Sequence, residues 1–248
     1  MVAVAMPMIS DGGGNRLFWQ PVMHARPEMK LDAVYAARFP AADREAKDAI
    51  WSVLCRHFIQ RYVRAGDAVL DLGSGFGEFL RHIRCARRIA VDVEPLSGRA
   101  FPPGTEEVLV ASDRLSSRVA PDSVDVVFCS NFFEHLGDKQ TFLATIAEIR
   151  KVLRPGGRLL VLQPNIRFVG GAYWDFVDHH LPLTDRTLVE ACESLDFEVV
   201  EVIPRFLPYT TRSALPQRPW LVRVYLAFRP AWFFFGQQTW FVARKPHR

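Results

Sequence analysis

The residues of this chain with the clearest chemical potential form a glycine-rich loop, Gly73 to Gly77, which directly follows the apolar run Ala68 to Leu72. The apolar run predicts a parallel strand that is covered on both faces. Alternate glycines let the backbone turn tightly and approach a ligand, because no Cβ atoms stand in the way. The pattern becomes helical from Glu78, so the N–H groups that open this helix point towards whatever the loop binds. The sequence therefore predicts a cofactor site at the carboxyl end of the first strand.

The acidic residues around this loop indicate which kind of cofactor it binds. A dinucleotide fingerprint requires Gly-x-Gly-x-x-Gly, and Glu78 stands where the third glycine would be. A carboxylate at that place would repel a pyrophosphate seated at a helix N-terminus. Asp71, just before the turn, favours a cationic ligand instead. A NAD-dependent oxidoreductase on a similar fold and a glycine-rich turn that binds nothing are the alternatives.

A second acidic residue ends the next predicted strand. The apolar segment Arg88 to Glu94 contains Asp92, which lies about 20 residues beyond the first glycine. A carboxylate at that place can accept hydrogen bonds from both ribose hydroxyls of an adenosine. An Asp at a strand end also serves as a turn or cap residue. Because it follows a glycine-rich strand–turn–helix unit, we interpret Asp92 as a ligand-binding residue.

Apolar runs alternate with helical patterns through the rest of the chain, which is typical of a doubly wound α/β sheet with right-handed crossovers. One helix, predicted over 141–153, ends at residues 154–157 (Arg-Pro-Gly-Gly), because proline and glycine cannot continue it. Another is predicted from Thr184 or Asp185 to about Leu195, with one of the first two as its cap. The later strands are predicted at residues 107–111, 123–130, 158–163, 197–203 and 238–243.

Three of these segments resemble motifs of the class I S-adenosylmethionine (AdoMet) methyltransferases, in particular their type 11-like branch. The segments are the run Val69 to Leu80, residues 122–127 together with 131–136, and residues 153–159. Their order and spacing make the resemblance more specific than one glycine loop. The resemblance implies a mostly parallel seven-stranded sheet in the order 3-2-1-4-5-7-6, with strand 7 antiparallel, helices on both faces, and AdoMet as the cofactor.

The resemblance also implies cofactor-binding roles for nine residues. Asp71, Gly73, Ser74, Gly75 and Gly77 would surround the amino acid end of AdoMet, Asp92 would hold the ribose, Val93 would pack beside the adenine, Asp113 (or its neighbour Ser112) would meet the adenine edge, and Asn131 would face the methyl group or the cofactor's backbone. In relatives a leading segment closes over the cofactor. From it Tyr35 and Arg38 could reach the AdoMet carboxylate, with ordinary surface positions as the alternative.

The candidates for acid–base chemistry lie beyond the fifth strand, where Asp178 precedes His179 and His180. Loops after strands four and five overhang the reacting group in this architecture. A hydroxyl nucleophile must lose a proton, and histidine is the side chain best matched to that task at neutral pH. We predict that His179 or His180 is catalytic or binds the acceptor, and that Asp178 orients an imidazole; packing or capping is the alternative. His135 is a second candidate.

No metal site is predicted from Asp178, His179 and His180, because adjacent residues rarely converge on one ion. The four cysteines, Cys55, Cys85, Cys129 and Cys192, show no paired spacing. We therefore interpret them as reduced thiols rather than as a disulfide or zinc framework.

An aromatic-rich insertion at about residues 204–236 separates the predicted strands six and seven. Within it, residues 219–235 mix aromatic and basic side chains with aliphatic ones, and the run is too short and too charged to span a bilayer. Four interpretations stay open: a lid over an apolar substrate, a peripheral membrane-facing helix, a dimer surface, or an extra core layer.

Length, composition and charge indicate the domain organisation, the location and the partners of the protein. With 248 residues, 49% of them hydrophobic, the chain can bury one α/β core. We assign the methyltransferase-like domain to residues 41–248 and a tail and cap segment to residues 1–40. The first residues lack a basic region followed by an apolar one, which predicts a cytoplasmic protein rather than an exported one. A net charge of +4 without a dense Lys/Arg stripe argues against a nucleic acid partner.

These observations predict an AdoMet-dependent methyltransferase that acts on a small-molecule or lipid- or sugar-linked acceptor, most readily at oxygen. By resemblance, enzymes that methylate exocyclic base nitrogens carry an Asn-Pro-Pro-Tyr type motif after strand four, where this chain has residues 131–134 (Asn-Phe-Phe-Glu). A non-catalytic AdoMet-binding protein is the alternative from another functional class.

Overall fold

A computed structural model describes residues 41–95, 97–209 and 218–247. The strands are β1 (Ala68–Leu72), β2 (Arg87–Asp92), β3 (Glu106–Leu109), β4 (Val124–Ser130), β5 (Leu153–Pro164), β6 (Glu198–Leu207) and β7 (Gln238–Arg244). The helices are α1 (Ala41–His57), α2 (Glu78–His82), α3 (Lys139–Val152), α4 (Ile166–Val169), α5 (Asp185–Ser194), α6 (Pro219–Ala227) and α7 (Pro230–Phe235). Short 3-10 turns cover Ile59–Tyr62, Ser112–Ser117, Phe133–His135 and Gly170–Asp175. Tyr35 and Arg38 lie outside the described residues.

The seven strands form one sheet in the order β3-β2-β1-β4-β5-β7-β6, which confirms the predicted topology. β1 pairs in parallel with β2 and β4, whereas β7 is antiparallel to both β5 and β6. The chain leaves β1 towards β2 on one side and later returns to β4 on the other. The carboxyl ends of β1 and β4 therefore flank a switch point, where open α/β sheets bind their ligands.

Helices cover both faces of the sheet and create two apolar clusters. One contains Leu70 and Leu72 of β1 with the inner faces of α3 and α5, and the other contains Val69 with residues of α1, α2, α6 and α7. All five residues of β1 are buried, as expected for a central parallel strand. β1 is therefore fixed from both sides, and the loop at its end has a rigid base.

Element boundaries differ from the prediction where local caps and turns determine them. α3 begins at Lys139 because the Asp138 side chain accepts a hydrogen bond from the Thr141 N–H at 2.7 Å. β5 begins at Leu153 rather than at residue 158, since Leu153 already pairs with Val124 before a shift in register. The proline and glycines after Arg154 therefore interrupt the pairing without ending the strand.

The insertion is partly strand and partly helix. β6 extends to Leu207, beyond the predicted end at residue 203, and α6 and α7 then precede β7. Leu226 and Trp232 of these helices belong to an apolar cluster with Phe206, so part of the segment is the extra core layer considered above. Among the described residues, no helix is both long enough and apolar enough to cross a bilayer. The four cysteines are free thiols.

Candidate active site

The glycine-rich loop between β1 and α2 is fastened to the neighbouring strand. The N–H groups of Gly73 and Ser74 both donate to the carbonyl oxygen of Val91, at 2.9 and 3.1 Å. Gly75 has φ +51°, and a Cβ at that position would meet nothing within 4 Å. Beside it the buried Ser74 hydroxyl has no hydrogen-bond partner in the described part of the chain. The loop thus forms an open cradle with an unpaired polar group, which fits a ligand with polar atoms.

Arg81 of α2 holds this loop from behind, a role that the sequence did not suggest. Its guanidinium donates to the carbonyl oxygens of Phe76 and Ala100, both at 2.7 Å, and to the Asp48 carboxylate of α1 at 2.6 and 2.9 Å. A planar guanidinium with five donors can bridge several acceptors in this way. Arg81 therefore couples the glycine-rich loop to α1.

Three carboxylates surround the cradle. Asp71 is buried at the end of β1, and burial raises the pKa of its carboxyl well above the usual value; the nearby charges of Glu78 and Asp92 raise it further. Glu78 is paired with Lys47 of α1 at 3.0 Å. This concentration of negative charge suits a cationic ligand and opposes a pyrophosphate.

Asp92 lies at the end of β2, beside the cradle. One carboxylate oxygen accepts a hydrogen bond from the Gly75 N–H at 3.2 Å, and the other accepts from the Val93 N–H at 2.9 Å. Burial raises the pKa of Asp92, although these two hydrogen bonds act in the opposite direction. The neighbouring Val93 side chain is 54% exposed, an unusual position for an apolar residue and one that a flat adenine could cover.

The structure distinguishes the two candidates at the end of β3. The Ser112 hydroxyl is buried and shares a 2.7 Å hydrogen bond with the Thr145 hydroxyl of α3. Asp113, the next residue, is exposed in the first turn of its 3-10 segment. Asp113 is therefore the side chain available to a ligand at this strand end.

The loop after β4 lies directly against the glycine-rich loop. Asn131 adopts φ +48° at the tip of the strand, and its N–H donates to the Leu162 carbonyl oxygen of β5 at 2.8 Å. A Cβ at Gly73 would overlap the ring of Phe132, so only glycine permits this approach. The contact brings the residues after Asn131 next to the cofactor crevice.

The residues after Asn131 belong to a group of polar side chains that we call the polar cluster. Its members are Glu134 and His135 after β4, Gln163 near the end of β5, and Asp178 and His179 after β5. Glu134 is 1% exposed, and its carboxylate accepts a hydrogen bond from the Gln163 side-chain amide at 2.9 Å. Its backbone oxygen accepts from the N–H groups of His180 and Leu181, at 2.8 and 3.1 Å. Burial raises the pKa of Glu134, and the neighbouring His135 opposes this rise. Glu134 thus joins the loop after β4 to β5 and the segment that follows it.

Of the three predicted catalytic residues, Asp178 and His179 lie in this polar cluster, where both contact His135. His135 Nδ1 lies 2.9 Å from the Asp178 backbone oxygen and 3.3 Å from its carboxylate. His179 is buried, with Nδ1 at 2.9 Å from the Tyr173 backbone oxygen and its ring stacked on Phe176. His180 is exposed. Asp178 therefore contacts His135, an imidazole that belongs to the loop after β4.

A family model described as a methyltransferase domain matches residues 47–202. The chain belongs to this methyltransferase family. It is 33% identical over 147 residues to a probable S-adenosylmethionine-dependent methyltransferase of Mycolicibacterium smegmatis, covering 57% of this chain and 56% of that protein. The chain therefore spans little more than half of that relative.

Two further comparisons agree with this placement. A demethylmenaquinone methyltransferase of Symbiobacterium thermophilum is 24% identical over 176 residues, which cover 63% of this chain and 67% of that protein. A methyltransferase solved in complex with the Trm112 methyltransferase activator of Haloferax volcanii superposes with a TM-score of 0.65 at 22% identity. That superposition covers 90% of this chain and all of the other, and it shows a shared fold.

Membership of the AdoMet-dependent methyltransferases settles the choice of cofactor. The predicted class and AdoMet as cofactor are confirmed, and the dinucleotide alternative is rejected. The crevice of this methyltransferase fits AdoMet by its own chemistry, because an open glycine cradle, an unpaired buried hydroxyl and clustered carboxylates suit its amino and sulfonium groups. The role of each individual residue stays a prediction.

The polar cluster of the methyltransferase also contains a set of groups with metal-ligand chemistry. Glu134, His135 and His179 each offer one ligand atom, and these atoms lie within 4.8 Å of one another. In the sequence, only the adjacent residues 178–180 suggest such a site. The chain does place Glu134 beside His135 at the end of a strand, and this pairing could have indicated a polar cluster.

A separate cavity of about 470 Å³ lies at the other end of the central strands from the glycine-rich loop. Its lining includes Asp125 and Arg154, which form an ion pair at 2.9 Å, and Arg244, which is paired with Glu198 at 2.7 Å. It lies near the amino ends of the parallel strands, away from the switch point. It is therefore not the cofactor crevice.

Proposed function

We propose that this chain transfers the methyl group of AdoMet to an oxygen atom of a small-molecule or lipid- or sugar-linked acceptor. The observation that carries the proposal is the contact of Phe132 with Gly73, which sets the polar cluster around His135 against the cofactor loop. A methyl donor and a proton acceptor are needed side by side for methylation of a hydroxyl. Positioning the two reactants supplies a large share of the rate enhancement.

In this proposal the cofactor is held by the residues predicted from the sequence. Asp71 and the loop residues Gly73, Ser74, Gly75 and Gly77 receive its amino acid end, Asp92 accepts from the ribose hydroxyls, Val93 and Asp113 flank the adenine, and Asn131 faces the transferred group. Bound AdoMet supplies an electrophilic methyl group on a sulfonium. The clustered carboxylates favour that positive charge.

The hydrogen bonds of half-buried His135 and buried His179 determine which ring nitrogen of each can take a proton. A carbonyl oxygen can only accept, so neutral His135 carries its hydrogen on Nδ1, which donates to the Asp178 oxygen. The Nε2 atom then keeps its lone pair and can take the acceptor's proton. His179 has the same arrangement at Nδ1, with Tyr173. We assign the base to His135 or His179 and the positioning role to Asp178, and we assign His180 to acceptor contact.

The proposal is tested with methyl-labelled AdoMet and the aqueous and lipid extracts of cells as acceptor sources. We expect a labelled product whose methyl group is bound to oxygen. Replacing His135 by Gln should lower turnover by about 10²- to 10⁴-fold, the usual contribution of a general base, while AdoMet affinity stays unchanged. His57→Gln, at the exposed end of α1, is the matched control.

Two outcomes would contradict this assignment. Label on nitrogen or carbon would refute O-methylation. Firm AdoMet binding without turnover in any extract would favour the non-catalytic alternative. The variant Asp178→Asn tests the positioning role. We expect it to change the pH profile of turnover, whereas the loss of a merely structural contact would leave that profile unchanged.

A further inference from the structure

The outer face of α6 and α7 exposes large apolar side chains that the proposed chemistry does not use. Six of them lie between residues 220 and 235: Trp220 (60% exposed), Val224 (55%), Phe228 (60%), Phe233 (68%), Phe234 (72%) and Phe235 (50%). We call these six residues the aromatic patch. Monomeric proteins rarely expose so many neighbouring apolar side chains without a binding role.

The patch is built by helical spacing rather than by loose packing. Trp220 and Val224 lie four residues apart on one face of α6, and Phe228 follows at the same interval as the residue that caps the helix. The opposite face of the same helix buries Leu226 in the core. In α7 the buried Trp232 donates from its indole N–H to the Tyr225 carbonyl oxygen at 2.9 Å, which ties the two helices together. The aromatic patch is therefore held on a rigid base.

The charged residues between positions 218 and 235 are all arginines. The chain contains no Asp or Glu after Glu201. Arg218, Arg223 and Arg229 are exposed among the patch residues, and none of them forms an ion pair within the described ranges. Arginine side chains interleaved with exposed Trp and Phe are the composition of helices that lie in the interface of an anionic bilayer.

The sheet topology places the patch on the same side as the active site. β5 and β6 are both antiparallel to β7, so they run in the same direction. Because β5 is also parallel to β4 and β1, the carboxyl ends of all four strands lie at the same end of the sheet. α6 and α7 follow the end of β6. Arg205 links them to the segment after β5, because its guanidinium donates to the Phe233 carbonyl oxygen at 2.5 Å and stacks over Phe168 at 4.2 Å.

We propose that α6 and α7 dock this protein onto an anionic lipid surface through the aromatic patch and its arginines. The docking would bring the acceptor side of the site towards the bilayer. For a lipid-linked acceptor this deepens the proposed function and rests on it, whereas the docking itself does not depend on methyl transfer.

The test uses flotation of the full chain with vesicles of phosphatidylcholine alone and of phosphatidylcholine mixed with phosphatidylglycerol. We expect association with the mixed vesicles, weaker association with phosphatidylcholine alone, and a decline as salt increases. The double variant Phe233→Ser/Phe234→Ser should lower vesicle affinity at least tenfold. The matched control, Leu143→Ser/Val200→Ser, changes two exposed apolar residues outside the patch and should float like the wild type.

A second variant separates charge from apolar contact. Arg223→Gln/Arg229→Gln should reduce binding to the mixed vesicles and flatten its salt dependence. The proposal is overturned if the wild type does not float with the mixed vesicles at low salt, or if patch and control variants float equally. It is also overturned if Phe233→Ser/Phe234→Ser only converts a dimer to a monomer in light scattering, or only releases a bound protein.

AdoMet affinity, measured for each variant without vesicles, keeps this test apart from the proposed function. Unchanged affinity with lost flotation supports docking. A failure of methyl transfer with intact flotation counts against the proposed function alone.

Discussion

Asp71 is the residue whose chemistry depends most on a bound ligand. Its carboxyl is buried, and no hydrogen bond reaches it in the described part of the chain. An isolated buried carboxylate is unfavourable unless a cation compensates it or a proton neutralises it. The protein therefore gives up stability at this position, and a cationic cofactor can restore it.

We predict that Asp71→Asn stabilises the cofactor-free protein at neutral pH. The raised pKa means that the folded state binds more protons than the unfolded state, so stability falls as pH rises from about 4. In thermal unfolding between pH 4 and 8, the melting temperature of the variant should exceed that of the wild type by about 2–4 °C for each kcal/mol of folding free energy that the substitution restores. The gain should shrink at acidic pH, where wild-type Asp71 is protonated. A variant less stable at every pH would show that the carboxylate is satisfied.

Asp92 allows a sharper test of cofactor binding. Asp92→Asn keeps the shape of the side chain but removes the charge that accepts from the ribose hydroxyls. Losing charge-assisted hydrogen bonds worth about 1.5–3 kcal/mol should weaken AdoMet binding roughly 10- to 150-fold in calorimetry. Glu94→Gln removes the same charge from an exposed position two residues away and should bind normally. Equal effects of both variants would indicate long-range charge rather than direct contact.

The residues of the site differ in how far the sequence could predict them. Asp71 and Asp92 follow apolar runs at fixed places in a strand–turn–helix pattern, so local order was enough to select them. Arg81 was missed because its acceptors include the backbone oxygens of Phe76 and Ala100, and no side-chain pattern encodes backbone acceptors. The pairing of Asp178 with His135 joins two loops that are far apart in sequence, and only the fold brings them together.

At the scale of elements, buried strands were predictable and the insertion was not. In β4, residues 126–129 form a continuous apolar run because both faces of the strand are covered there. α6 and α7 carry apolar residues on their buried and exposed faces alike, so hydrophobic periodicity could not separate helix from strand there. β6 extends past its predicted end because Leu207 pairs with Gln238, and the local sequence does not indicate this pairing.

The glycine-rich loop provides a prediction at this scale. Gly75→Ala places a Cβ in the open cradle and forces an L-residue into a left-handed conformation, at about 1–2 kcal/mol. We expect a fall in melting temperature of roughly 2–8 °C and at least tenfold weaker AdoMet binding. Gly66→Ala, before β1, also meets nothing within 4 Å, has no left-handed φ, and should leave binding unchanged. Wild-type affinity in Gly75→Ala would place the cofactor away from this loop.

At the scale of the whole molecule, the cofactor site is built on the centre of the sheet. β1, β2 and β4 supply its loops, and β1 is held between the other two. A ligand that contacts these loops stabilises elements on which both apolar clusters depend. Its binding should therefore raise the stability of the folded protein as a unit rather than order one loop.

We therefore predict that AdoMet, but not NAD, raises the temperature of global unfolding. A ligand at a hundred times its dissociation constant stabilises the folded state by about 2.7 kcal/mol. For a chain of this size AdoMet should then raise the melting temperature by roughly 5–10 °C. NAD should produce no shift, because the carboxylates of Asp71 and Glu78 oppose a pyrophosphate in the cradle. A shift with NAD, or none with AdoMet while wild-type protein is fully folded, would show that the charge of this crevice does not select its ligand.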